Sequence, residues 1–277
     1  MRSSVWKSFV LLLATASVGC AGRDATKAAP LLIFAAADLR DALRDVSRAF
    51  RVAGGDSAIL VFGSTGDLAT QIANGAPADL FFAANAQAVD DLAAKQLIVD
   101  STRRIYAIGR LAVVARCDTT ATPALANCPT LSIADLSHET IRTIAIADPT
   151  HAPYGMAAKQ ALEHAHLWEA VRAKLVLGAN IAQADQFVTT GNADAGIIAL
   201  SLVLRTAGRP YTLVDSALHD PLQQTVAVLS RSTRQTNAVA LLRFIASVPG
   251  RAVMTRYGFV AAERVSPDRV SRERVAR

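Results

Sequence analysis

The sequence predicts an α/β protein of two lobes, each a mostly parallel sheet flanked by helices. Three observations carry that expectation. Short apolar runs alternate with stretches of helical periodicity from Leu31 onward. The alternation comes in two series, and a longer extended run, Tyr106–Arg116, lies between them and is suited to crossing from one lobe to the other. The 277 residues, 52% hydrophobic, are enough for one or two compact lobes. On this division residues 30–109 and 220–260 form lobe 1 and residues 110–219 form lobe 2.

The first series opens with Leu31–Ala37 as a buried strand. Asp38 then stands where an N-cap is expected, before a helix whose inward stripe is Leu39, Leu43, Val46 and Phe50. Gly54-Gly55 ends that helix, and Ala58–Phe62 is the second strand. Ser64-Thr65-Gly66-Asp67 fits a capping box with Ser64 as N-cap, and Leu68 and Ile72 share one face of the helix that follows. Asn74-Gly75 supplies a left-handed stop and Pro77 blocks continuation. Asp79–Ala84 is the next strand, and Asn85 caps a helix reaching Lys95.

The second series repeats the pattern. Thr143–Ala147 is a strand, 148–155 a loop, and Met156–His166 a helix. Leu175–Leu177 is a strand, Gly178-Ala179-Asn180 a turn, Ile181–Thr190 a helix and Ala195–Leu200 another buried strand. Thr225–Leu229 returns as a strand, and the helix Thr236–Val248 packs through Val239, Leu242 and Ile245. No solenoid repeat or low-complexity segment is visible.

The ends differ in character from the middle. Residues 1–21 read as a secretory signal, with Arg2 and Lys7 as its basic region and Phe9–Ala16 as an apolar run too short to span a bilayer. Ser17-Val18-Gly19-Cys20 resembles a bacterial lipoprotein site with lipidation at Cys20; cleavage after Ala21, releasing a soluble protein, is the competing reading. Either route exports the chain to the periplasm. The remaining cysteines, Cys117 and Cys128, then sit in an oxidising compartment and bracket a polar loop, so a local disulfide is one reading and two separate thiols the other. Residues 261–277 read as a charged, solvated tail. Much of the formal charge of +6 comes from the leader and this tail, and no basic stripe with interleaved aromatics marks a nucleic-acid binder.

Four strand-to-helix turns carry the chemistry: Ala36–Leu39, Phe62–Asp67, Ala152–Gly155 and Gly178–Ala182. In open α/β sheets ligands sit beyond the carboxyl ends of the strands, where helix N-termini gather with unpaired N–H groups and a favourable dipole. Two turns come from each lobe, so facing each other they would ring one small anion. Only Arg40 lies near any of them and no lysine does. Neutral donors without acceptors suit a fully deprotonated tetrahedral dianion. Catalytic signatures are absent: there is no GxSxG, no GxGxxG after a strand, no P-loop and no HExxH. His164 and His166 are two apart on a helix and diverge, whereas His151 is a loop residue able to cap a carbonyl, bind a ligand or act as a base.

At these turns the sequence resembles the periplasmic molybdate-binding proteins of ABC transporters, within the type II solute-binding group. The matching text is FAAADL (34–39), FGSTGDLATQIANGAPADLFFAA (62–84), IADPTHAPYGMAAKQAL (146–162), GIIALS (196–201) and RYGF (256–259). The resemblance implies a hinged, two-lobed periplasmic-binding-protein fold that closes on molybdate or tungstate and delivers it to a membrane permease, without a cofactor and as a monomer. It implies ligand contacts at Asp38, at Thr65 with Ser64 beside it, and at the backbone of Tyr154 and Ile181. The contacting tyrosine of the family falls on Ala199, and a contacting serine on Asp38. Those two departures keep a second receptor reading open, with phosphate or a small carboxylate as ligand. A third reading is an exported hydrolase using His151 with Asp148 or Asp38.

Overall fold

The computed structural model describes residues 29–117 and 128–262. The leader, Cys20 and the stretch beyond 262 lie outside the described residues. Strand β1 (Leu31–Ala36) is almost wholly buried and runs into a single 3-10 turn, Ala37–Leu39. Helix α1 (Arg40–Val52) follows and turns Leu43, Val46 and Phe50 inward. After β2 (Ala58–Gly63), helix α2 (Thr65–Ala73) starts on Ser64, whose hydroxyl accepts the Asp67 N–H at 3.2 Å. Strand β3 (Leu80–Ala83) leads to α3 (Gln87–Ala94), where Asn85 accepts the Ala88 N–H. The extended run then splits at Arg110 into β4 (Arg104–Gly109) and β5 (Leu111–Ala115), which belong to different sheets.

The second series is β6 (Ile144–Ala147), α4 (Pro153–His164), α5 (Trp168–Val171), β7 (Leu175–Gly178), α6 (Ile181–Thr189), β8 (Ala195–Ala199), α7 (Leu200–Val203) and β9 (Thr212–Leu213). The chain then returns through β10 (Leu222–Val228), α8 (Gln235–Ala246), α9 (Val248–Arg256) and β11 (Val260–Ala261). Helix α4 begins three residues earlier than the sequence suggests, with Pro153 at its first position, where a missing N–H costs nothing.

One sheet has the order β11-β4-β10-β3-β1-β2 and the other β7-β6-β8-β5-β9. Both are mixed rather than mostly parallel. The strands linked by helices, β1 with β2 and β3, and β6 with β7 and β8, pair in parallel. The strands next to the crossings run the other way: β10 against β3 and β4, and β5 against β8 and β9. Their direction is set by continuing straight from one sheet to the other, not by a helical return. The parallel strands end at one rim of each sheet, and that rim carries the site.

Candidate anion-binding site

All four strand-to-helix turns open on one pocket. Ala36–Asp38, Gly63–Thr65 and Ala84 line it from the first sheet, and Ala152–Tyr154, Asn180 and Ile181 from the second. Among the described residues no lysine or arginine is in this wall. Among the described residues no group of three His, Cys, Asp or Glu side chains is placed to hold a metal ion.

The caps determine which donors remain. At α2 the Gly66 N–H goes to the His151 carbonyl and the Asp67 N–H to Ser64 Oγ. At α6 the Asn180 side chain takes the N–H groups of Ala182 and Gln183 at 3.0 and 3.1 Å. The first N–H of each helix, on Thr65, Tyr154 and Ile181, has no internal acceptor among the described residues. These are the orphan donors that a helix start offers an anion. Thr65 adds a hydroxyl: its oxygen accepts the Ala84 N–H at 3.0 Å, which leaves its own proton to give.

Asp38 does not cap its helix, contrary to the sequence expectation. No side-chain cap bond forms at the 37–39 turn or at α1, because the 3-10 turn carries Asp38 inward. The residue is 1% exposed, and neither carboxylate oxygen has a hydrogen-bond partner of good geometry. Burial pushes its carboxyl up to about 7, opposed by the Tyr154 hydroxyl and the Gln224 amide facing it. Tyr154 is buried and Tyr106 half-buried with its hydroxyl enclosed, and both hydroxyls are pushed well above the usual tyrosine range by burial and by the Asp38 charge. The Tyr154 hydroxyl lies 3.4 Å from Gln224 Nε2 and over Gly109, where a Cβ would come within 2.2 Å of it. Gln224, Tyr106 and Gly109 were not legible as site neighbours; they surround Asp38 only because β4 and β10 pair. Ala199 is wholly buried opposite Leu111 and does not line the pocket.

The lobes also touch directly. His151 Nδ1 is 3.0 Å from Ser64 Oγ and 3.7 Å from Asp67 Oδ2. Below it, Gly66 approaches so closely that a Cβ would lie 2.8 Å from the His151 carbonyl oxygen. Ser201 Oγ donates to the Asp38 carbonyl at 2.7 Å. These contacts make this the closed arrangement. Ser64 Oγ also accepts a cap bond from Asp67, and Asp148, 3.7 Å from His151, is engaged by Thr150 at 2.9 and 2.7 Å. That Thr150 contact also holds the Asp148 carboxyl below its ordinary range. Beyond the pocket, the sulfurs of Cys117 and Cys128 are bonded, with Cα atoms 4.6 Å apart.

A two-sheet α/β fold with helix N-termini converging between the sheets defines the class of two-lobed solute receptors. The chain belongs to the bacterial extracellular solute-binding proteins, whose sequence profile matches residues 31–260. It is similar to the molybdate-binding protein ModA of Azotobacter vinelandii, with 34% identity over 85% of this chain and 91% of that protein. It is 30% identical to the ModA of Rhodobacter capsulatus, over 81% of this chain and 86% of that one. The solved structure of the Azotobacter vinelandii periplasmic molybdate-binding protein superposes with a TM-score of 0.74 at 24% identity, covering 83% of this chain and 98% of that one.

Proposed function

We propose that the protein is an exported receptor that closes its two lobes on a tetrahedral oxyanion, molybdate or tungstate, and delivers it to the permease of an ABC importer. The observation that carries this is the convergence of the Thr65, Tyr154 and Ile181 N–H groups, from both sheets, on a pocket without a cation in its wall. Such a wall rewards an ion that brings its own charge and many acceptors, and burying that ion without these partners would be prohibitive. Asp38, Ser64, Thr65, Tyr154 and Ile181 are the proposed ligand shell. Ala199 stands outside it, and Tyr154 is the tyrosine in the pocket wall. The names of the relatives support the choice of molybdate.

The lobe boundaries at 30–109 with 220–260 and at 110–219 are supported by which strands share a sheet. Export through the leader, lipidation at Cys20, a monomeric state and a Cys117–Cys128 disulfide formed outside the cytoplasm belong to the same reading. Function as a carrier needs no catalytic group, in keeping with the family. A buried Asp38 also favours a second reading, a receptor for an anion that carries a proton, such as hydrogen phosphate. Calorimetric titration with molybdate, tungstate, sulfate and phosphate separates the two. Tight binding of molybdate and tungstate is expected; binding of phosphate alone would replace the first reading by the second.

A further inference from the structure

We propose that Asp38 makes ligand capture a proton-linked event: the closed cleft holds its carboxyl as the neutral acid beside the anion, so one proton enters from solvent with each dianion. The inference rests on the oxyanion reading above and concerns a residue that replaces a hydroxyl side chain in the receptors this chain resembles.

The geometry supplies the argument. Asp38 is part of the pocket wall, 1% exposed, with both oxygens unpartnered. The groups facing it are neutral: the Tyr154 hydroxyl from α4, the Gln224 amide from β10, the Tyr106 hydroxyl from β4, and its own and the Leu39 backbone N–H. Helices α1, α6 and α7 also pack on the 37–39 turn. Next to the turn, Arg40 Nε lies 3.7 Å from Asp41 without a hydrogen bond, and Asp185 of α6 pairs with Arg205 and Arg209 at 2.9 and 2.6 Å. From α7, Ser201 reaches only the Asp38 backbone carbonyl. His151 is turned to Ser64 and Asp67. Strands β1 and β3 contribute apolar residues alone. Among the described residues no cation offsets an ionised Asp38, and a dianion in the same pocket would add like charge.

The donor count points the same way. Gln224 Oε1 and the Tyr106 hydroxyl are also buried without partners. An ionised Asp38 can only accept, so it offers no proton to a ligand oxygen. A protonated Asp38 has one O–H to give to a ligand oxygen, while still accepting from a tyrosine hydroxyl or the Gln224 amide. Burial already pushes the carboxyl up to about 7 in the closed cleft, and a bound dianion pushes it further. Opening withdraws Tyr154 and Ser201 with the other lobe and returns Asp38 to water, where a carboxyl ionises near its ordinary value. Between those two values the closed, loaded form binds one more proton than the open form. Affinity then falls as pH rises through that window and levels off above the closed-state value.

The test is isothermal titration of the full-length mature receptor with molybdate between pH 5.5 and 8, in buffers of different ionisation enthalpy. Molybdate kept dilute enough to remain monomeric is a dianion over this range, so proton uptake is assigned to the protein. Near pH 6.5 the wild type should take up close to one proton, with affinity falling about tenfold per pH unit, as a one-proton linkage requires. Asp38→Asn and Asp38→Ser should abolish the uptake and flatten the profile; Asp38→Ser covers the case in which the amide misfolds. Binding with no proton uptake and no slope overturns the proposal and leaves the receptor reading standing. Uptake that persists in a folded variant also overturns it, because another group would then be the acceptor. No binding of molybdate or tungstate at any pH removes the receptor reading and this proposal together.

Discussion

Thr65 shows how one side chain can serve the fold and the ligand at once. Its hydroxyl oxygen satisfies the buried Ala84 N–H, and its proton is left for the pocket. Thr65→Ser should therefore bind nearly as wild type. Thr65→Val should weaken molybdate by roughly ten- to a hundredfold, since a hydrogen bond to a charged group is worth about 1.5–3 kcal/mol. It should also lower the melting temperature, because the Ala84 N–H loses its acceptor. Calorimetry and thermal melts on the two variants check both effects; equal affinities would remove Thr65 from the shell. Ser64 and Thr65 were legible from their capping pattern. Asp38 was legible as a position and misread as a cap, because the pattern of a polar residue before a helical stripe does not distinguish a cap from a 3-10 turn that swings the side chain inward.

At the scale of elements, the site is a set of helix starts, and their caps hold it open. Asn180 occupies the second and third N–H groups of α6 and so leaves the Ile181 N–H for a ligand. Asn180→Ala should cost about 1 kcal/mol of stability, the usual loss for a cap, and lower affinity as the first turn frays. Thermal unfolding read beside calorimetry measures the two together; a stable variant with full affinity would contradict the assignment. The longer helices and the buried strands of both series were readable from periodicity, with ends shifted by a few residues, whereas the short α5 and α7 and the closing α9 were not. What was not readable was the antiparallel set, because local pattern says nothing about the direction in which a crossing strand is threaded. The same blindness hid Gln224 and Tyr106, which reach Asp38 only through the pairing of β10 with β4. Asp79 was read as the start of a strand, yet it gathers the Leu32 N–H, Ser232 and Arg234, each at 2.7 Å, and so ties the returning chain to β1.

At the scale of the molecule, two crossings, at Arg110 and between Val214 and Leu222, join the sheets, and everything else that spans the cleft is a separable contact. His151 against Ser64, Gly66 against the His151 carbonyl, and Ser201 against the Asp38 carbonyl all belong to the closed form. Apolar packing spans the lobes as well, with Leu200 and Leu204 against Gly258 and Ala36, Ala37 and Ala84 joining the core of the second sheet. A shared anion adds its own attraction to these contacts and shifts the balance towards the closed form. Small-angle X-ray scattering of the mature protein with and without saturating molybdate tests this most directly. The account predicts a smaller radius of gyration on loading, as the lobes close on the shared ion. An unchanged radius in a sample whose calorimetry shows binding would contradict it.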